Sequence, residues 1–227
     1  MRLSYNALFT VARDGMGLFI TFEGIEGCGK TTQVRQLAAL LQERSRSVRM
    51  TREPGGCPIA DQVRSILLDG GNRGLTPLAE LLLFAAARAQ HVAEVIAPAL
   101  AAGEVVLCDR FTDATLAYQG FGRELDHRLI RDLNTLATGQ VRPDMTILLD
   151  CPVEVGLGRA VSPVNSHQVK EERFELESLA FHQRVRDGYL ELARQEPDRF
   201  RVIPANASVE EVGNAVARAV LARLTEG

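Results

Sequence analysis

Several broad classes are excluded by what the sequence lacks. Its four cysteines, Cys28, Cys57, Cys108 and Cys151, stand far apart with no C-x-x-C pair and no histidine partner, so neither a zinc site nor a disulfide framework is supported. They read as reduced packing thiols of a cytoplasmic protein. No stretch approaches the roughly 18 apolar residues of a membrane span. Residues 1–15 carry Arg2, Arg13 and Asp14 around a weakly apolar middle, without the apolar segment of a signal peptide. A net charge of -3 gives no global attraction to nucleic acid or to an anionic membrane. Any anion site must therefore be local. Internal repeats and low-complexity linkers are also missing. What is present, 227 residues with 46% hydrophobic and 24% charged content, suits one domain with a sizeable core. Met16-Gly17 directly precedes the first predicted strand, so residues 1–15 are expected to form a flexible extension and residues 16–227 the domain.

The chain is organised around one stretch, Leu18 to Thr32. Its first part is a short apolar run with the β-branched Ile20 and Thr21, which suits a buried strand of a parallel sheet. Gly24, Gly29, Lys30 and Thr31 then follow in the spacing G-x-x-x-x-G-K-[ST]. Glycines there let the backbone curl so that successive N–H groups face a polyphosphate, and a helix N-terminus adds positive potential. Lys30 can reach the β- and γ-phosphates, and the Thr31 hydroxyl can ligate Mg²⁺. Gly27, Cys28 and Thr32 complete the ATP-binding stretch. Val34, Leu37, Ala38 and Leu41 recur at helical spacing, so the loop has its strand before it and its helix after it.

Further along, strands are expected at Val48–Thr51, Val105–Arg110, Met145–Asp150 and Arg201–Ile203. Helices are expected after Ile59, from Thr76-Pro77 to about Leu100 with a kink or restart at Pro98, and from Asp126 to Ala137. Others are expected over Val153–Val161, from Lys170 to about Gln195, and after the capping box that begins at Ser208. Strands alternating with helices imply an α/β fold with a parallel sheet covered on both faces. Val105 to Asp109 ends on an acid and a base, Asp109-Arg110. In a parallel sheet ligands gather at the carboxyl ends of strands, so Asp109 can serve the metal and Arg110 can hold a phosphate. An Asp–Arg ion pair that only braces the strand end is the alternative. Phe84 and Arg88 stand four apart on one helical face, where a core aromatic and a solvated arginine are the plain reading.

Four motifs together resemble the thymidylate kinase family of P-loop nucleoside monophosphate kinases, from about Gly17 to the end of the chain. They are Phe22 to Thr32, Thr51-Arg52-Glu53-Pro54-Gly55-Gly56, Leu83 to His91, and Asp109-Arg110-Phe111 continuing to Tyr118-Gln119-Gly120. The resemblance implies a three-layer P-loop NTPase fold of about five parallel strands with helices on both faces and a mobile lid. It also implies that Phe84 stacks on thymine while Arg88, Thr115 and Gln119 read its polar edge. By the same resemblance Arg64 and Arg110 hold the acceptor phosphate, Glu26 meets the sugar 3′-hydroxyl, Tyr118 crowds the 2′ position, and Glu53 lines the pocket near the transferring phosphates.

The implied chemistry is transfer of the γ-phosphoryl of ATP to dTMP with Mg²⁺ as cofactor, Lys30 and Arg110 being catalytic and Thr31 and Asp109 serving the metal. An anionic phosphate oxygen needs no general base, so catalysis is positioning and charge neutralisation. The loop interior, Glu26-Gly27-Cys28, holds no arginine. The resemblance implies that a further arginine comes from either that loop or the lid, so the lid, roughly residues 159–175, is expected to supply it, from Arg159 or Arg173, with Lys170 between them. The family further implies a homodimer. The alternatives are a kinase of the same architecture for another nucleotide or a nucleoside, and a non-catalytic nucleotide-binding module.

Overall fold

The apolar runs become five strands of one parallel sheet in the computed structural model, which describes residues 17–160, 172–175 and 177–225. β1 (Phe19–Glu23), β2 (Val48–Arg52), β3 (Val105–Asp109), β4 (Met145–Asp150) and β5 (Phe200–Pro204) lie in the order β2-β3-β1-β4-β5. Every residue of the central β1 is buried. Alternate positions feed two separate cores, as side chains on opposite faces of a sheet must. Ile20, Phe22 and Leu107 join one cluster, whereas Phe19, Val106 and Cys108 join another with Val92, Ile96 and Leu100. Burial on both faces explains why these strands read as unbroken apolar runs. The edge strands β2 and β5 keep exposed apolar positions, Met50 and Val202.

Helix α1 (Lys30–Glu43) buries the Val34, Leu37, Ala38 and Leu41 stripe, and α10 (Val209–Thr225) packs beside it. The capping box at the start of α10 forms: the Ser208 N–H donates to Glu211 Oε2 at 3.0 Å, and the Glu211 N–H to Ser208 Oγ at 3.2 Å. Helices α2 (Pro58–Leu68) and α3 (Pro77–His91) pack together, and the Thr76 hydroxyl caps α3 by accepting from the Ala79 N–H. α3 runs into a π-helical segment, Val92–Ile96, and then into α4 (Ala97–Ala101). Pro98 has no N–H and its ring crowds the carbonyl four residues back. The wider turn just before it is how the continuous helix takes up the expected kink.

After β3 come α5 (Thr112–Thr115), a second π-helical segment at Leu116–Gly122, α6 (His127–Thr138) and, beyond β4, α7 (Val153–Ala160). The sequence reading assigned no helix to Thr112–Gly122. It also expected one helix from Lys170 to Gln195, where the structure has two, α8 (Glu172–Glu175) and α9 (Leu179–Gln195). The break comes from Ser178, whose hydroxyl accepts from the Phe181 N–H at 3.2 Å and starts a new helix. Pro77–Ala101, 25 residues long, has the length and composition of a membrane span and so departs from expectation. It packs on α2 and α6, and it carries the buried Glu80, Arg88 and His91. The proposed extension, residues 1–15, and residues 161–171 of the proposed lid lie outside the described residues.

Candidate active site

The strand order places β1 between β3 and β4, where connections leave the sheet in opposite directions. This is the position at which open α/β sheets collect ligands. Gly24 to Gly29 wrap this end of β1. Gly24 has φ 136°, and a Cβ on it would lie 2.5 Å from the Leu149 carbonyl oxygen; a Cβ on Gly27, φ 67°, would lie 1.9 Å from that of Gly156. The loop thus fits only as glycine, pressed against β4 and α7. Lys30 is buried and its ammonium donates to the carbonyls of Gly24, 3.1 Å, and Ile25, 2.8 Å. Its Nζ also lies 3.5 Å from Cys28 Sγ. Thr31 donates its hydroxyl to Asp109 Oδ2 at 2.7 Å. Thr32, in the same first turn of α1, is exposed. The two proposed metal-facing residues are therefore neighbours, and both offer hard oxygen, the donor type Mg²⁺ prefers.

Arg110 follows β3 with φ 68°, the left-handed region that non-glycine residues rarely adopt. Such a backbone costs on the order of 1–3 kcal/mol and is kept where surrounding contacts enforce it. Here the Arg110 N–H donates to the Phe22 carbonyl, and the guanidinium donates to the Gly24 carbonyl at 2.9 Å, Tyr189 Oη at 3.2 Å and Glu26 Oε1 at 3.1 Å. It also lies over the Tyr118 ring, 4.8 Å from its centroid. Glu26 Oε1 accepts from the Tyr118 hydroxyl at 2.5 Å, and Oε2 lies 3.2 Å from His182 Nδ1 without the alignment of a hydrogen bond. Burial would raise the Glu26 pKa, but His182, Arg110, Lys30 and Tyr118 outweigh it and hold the carboxyl at about 2. Behind this pair, Glu23 accepts from the Phe111 N–H at 2.7 Å and the Tyr189 hydroxyl at 2.8 Å. Burial and the nearby Asp113 push its pKa up to about 7, only partly offset by Arg110 and the two hydrogen bonds.

Away from the loop, Phe84, Arg88, Thr115, Tyr118, Gln119 and Phe174 line a pocket that also reaches Glu26, Glu53 and Arg110. Arg88 is far from the solvated tip of the plain reading, being 2% exposed. It donates to Glu53 Oε2 at 2.7 Å, Asn134 Oδ1 at 2.6 Å, the Phe111 carbonyl at 3.1 Å and Thr115 Oγ1 at 2.9 Å. Glu53 also meets His91 Nδ1 at 2.9 Å, and His91 Nε2 lies 2.6 Å from Thr51 Oγ1. Burial acts upward on the Glu53 pKa, but Arg88 and His91 bring it below the usual carboxylate value. Phe84 is half-buried, its ring 6.3 Å from that of Phe174. Phe84 and Phe174 give this end of the pocket an aromatic wall, and Arg88, Thr115 and Gln119 add polar groups to it.

Like the predicted ATP-binding residues and Asp109, the predicted Arg64, Arg159 and Arg173 are not part of the pocket wall. Arg64 donates to the Pro54 carbonyl at 2.8 Å, and Pro54 lines the pocket. Arg159 donates to the Ala205 carbonyl at 2.9 Å. Arg173 donates to Glu80 and to the Leu67 carbonyl, on the base side of the crevice rather than over the phosphate loop. Lys170 lies outside the described residues. Sequence reasoning also gave no role to Glu80, His91, Asn134, His182 or Tyr189, which contact the site residues, or to Glu23, which holds Tyr189. Glu23 and His91 lie inside two of the four motifs, whereas the others were marked only by a polar side chain on an apolar helix face. That signal is ambiguous until the partner from a distant segment is known.

A thymidylate kinase family model matches residues 22–216. The chain is 67% identical over 210 residues to the thymidylate kinase of Geobacter sulfurreducens, covering 92% of this chain and 99% of that one. It is 63% identical over 213 residues to the thymidylate kinase of Geotalea uraniireducens, covering 93% and 100%. The crystal structure of thymidylate kinase from Ehrlichia chaffeensis superposes with a TM-score of 0.72 at 37% identity, over 90% of this chain and 99% of that chain.

Proposed function

The chain belongs to the thymidylate kinase family, and from that premise we infer that it transfers the γ-phosphoryl group of ATP to dTMP, giving dTDP and ADP on the route to dTTP. The observation that carries this is the continuity of the crevice. One pocket joins an aromatic and amide-lined end, at Phe84, Arg88, Thr115 and Gln119, to Arg110 and Glu26 beside the phosphate loop. A monophosphate acceptor suits that span, because Arg110 lies between the ring pocket and the loop.

In this reading Gly24, Gly27, Cys28, Gly29, Lys30, Thr31 and Thr32 bind ATP. Lys30 and Arg110 exchange their loop carbonyl partners for phosphate oxygens, which carry the opposite charge. Arg64 and Arg110 hold the acceptor phosphate, Glu26 meets the sugar 3′-hydroxyl, and Tyr118 crowds the 2′ position. Phe84 stacks on the ring while Glu53 fixes Arg88. Mg²⁺ is the cofactor, held by Thr31 and Asp109; it shields the phosphate charge when bound. The lid arginines, Arg159 or Arg173, bring a further cation to the transferring phosphoryl when the lid closes, which requires Arg173 to leave Glu80.

The enzyme acts as a homodimer in the cytoplasm. The packed helices α2, α3 and α6 leave Ile59, Ile66, Leu78, Leu82, Leu129 and Leu136 exposed, a set of apolar side chains suited to a second copy. All four cysteines are free and buried, as a reducing compartment allows.

The test is ADP formation from Mg·ATP with dTMP, dUMP, dCMP, dGMP, UMP and thymidine as acceptors. Strong stimulation by dTMP and weak stimulation by UMP is expected. No stimulation by any monophosphate would transfer the case to a nucleotide-binding module, and stimulation by thymidine alone to a nucleoside kinase.

A further inference from the structure

Glu80 lies in the first turn of α3, is completely buried, and is not among the residues that line the pocket. Its oxygens are nevertheless fully engaged. Oε1 accepts from Gln119 Nε2 at 2.7 Å and Arg123 Nε at 3.3 Å; Oε2 accepts from Arg123 Nη2 at 3.3 Å and from Arg173 Nη2. A carboxylate offers only acceptors, so Gln119 must turn its NH₂ toward Glu80. The other end of that amide, Oε1, has no partner among the described residues, although Gln119 is 1% exposed and lines the pocket.

We infer that Glu80 is a positioning residue that fixes the Gln119 amide with its oxygen toward the bound base, and thereby selects a pyrimidine whose N3 carries a hydrogen. This rests on the reading of the pocket as the thymine site. A lone acceptor there completes a hydrogen bond with the N3–H of thymine or uracil. Facing cytosine, it meets the lone pair of N3, and a buried acceptor left unmatched is penalised more than a made bond is rewarded. Gln119 alone could present either end, since its oxygen and NH₂ are nearly the same size. The choice is made by a residue that does not touch the base.

Glu80→Gln separates this role from simple packing. An amide at position 80 must place its NH₂ at one of the two oxygen positions. At the Oε2 position it would face two guanidinium donors. At the Oε1 position it faces one guanidinium nitrogen and Gln119, the one partner able to reverse. Gln119 should then flip and present NH₂ to the base.

The experiment measures kcat/KM for dTMP and for 5-methyl-dCMP, which share methyl group, sugar and phosphate and differ only at ring positions 3 and 4. Contributions from position 4 are common to wild type and variants and cancel when their preferences are compared. The preference for dTMP should fall at least about tenfold in Glu80→Gln and in Gln119→Leu, and should be largely retained in Glu80→Asp, which still offers only acceptors. A fall in Gln119→Leu with no change in a folded Glu80→Gln overturns the role of Glu80 and leaves Gln119 as a base reader. No change in Gln119→Leu overturns the pocket reading itself. Should Glu80→Gln fail to fold, a crystal structure of the wild-type dTMP complex decides. Gln119 bridging Glu80 and thymine N3 through opposite ends of its amide supports the inference, and Glu80 turned away from Gln119 overturns it.

Discussion

At the phosphate end of the crevice Lys30 rests on two backbone carbonyls of the loop, whereas at the base end Arg88 is gripped by Glu53, Asn134, Thr115 and the Phe111 carbonyl; Arg110, between them, holds both the Gly24 carbonyl and the Glu26 carboxylate. Both ends are buried and cationic, yet they hold charge differently. Neutral carbonyls are weak partners that a phosphate oxygen can replace. A buried arginine on a buried carboxylate cannot be released without leaving a charge uncompensated. The phosphate end is thus arranged to change partners when anions arrive, while the base end is set before the substrate enters.

The strongest test of this contrast is Lys30→Ala. It should lower kcat by at least about 10²- to 10³-fold, the loss seen when a preorganised charge-stabilising donor is removed, while the melting temperature stays close to wild type. Unfolding by this variant would erase the distinction between the two ends. Glu53→Ala is its counterpart: it strands Arg88 and His91 and should lower stability by about 3–5 kcal/mol in urea unfolding.

Arg173→Ala sharpens the boundary between the ends, because the residue is assigned to the lid but stands on Glu80. If the lid assignment holds, kcat falls about tenfold or more while the KM for dTMP changes less. The opposite split, with KM raised and kcat kept, would move Arg173 to the base end.

A smaller effect is expected from pH. Glu26 and Glu53 have folded pKa values below that of a free carboxyl, so their stabilisation is present above about pH 4.5 and is lost as pH falls through the folded values, about 2 for Glu26. Glu23 has the opposite sign. Its folded pKa is raised to about 7, so the native state binds more protons than the unfolded chain between about pH 4.5 and 7, and stability declines as pH rises through that window. Glu23→Gln should flatten the decline in a series of urea midpoints, and an unchanged slope would remove Glu23 as its source. Smallest of all, Ser208→Ala breaks the capping box far from either end. It should cost about 1 kcal/mol and leave the acceptor profile as it is.

Local sequence determined a good deal. The phosphate loop, its strand and its helix are contiguous, and their glycines, lysine and periodicity report on neighbours within a few residues. Met145–Asp150, the Thr76 cap and the Ser208 box are local in the same sense, and each appears where it was expected. The π-helical segment at Leu116–Gly122 escaped because tertiary packing, rather than propensity, decides between closely related helical turns, whereas the break at Ser178 is a local capping signal that was passed over. Tertiary structure alone decided which buried charges share a partner. Arg88 and Glu53 are 35 residues apart, Gln119 and Glu80 are 39, and Arg173 and Glu80 are 93. A pattern of 3.6 or 2 residues can put a side chain on a buried face, but it carries no information about which distant side chain will arrive there to complete its hydrogen bonds.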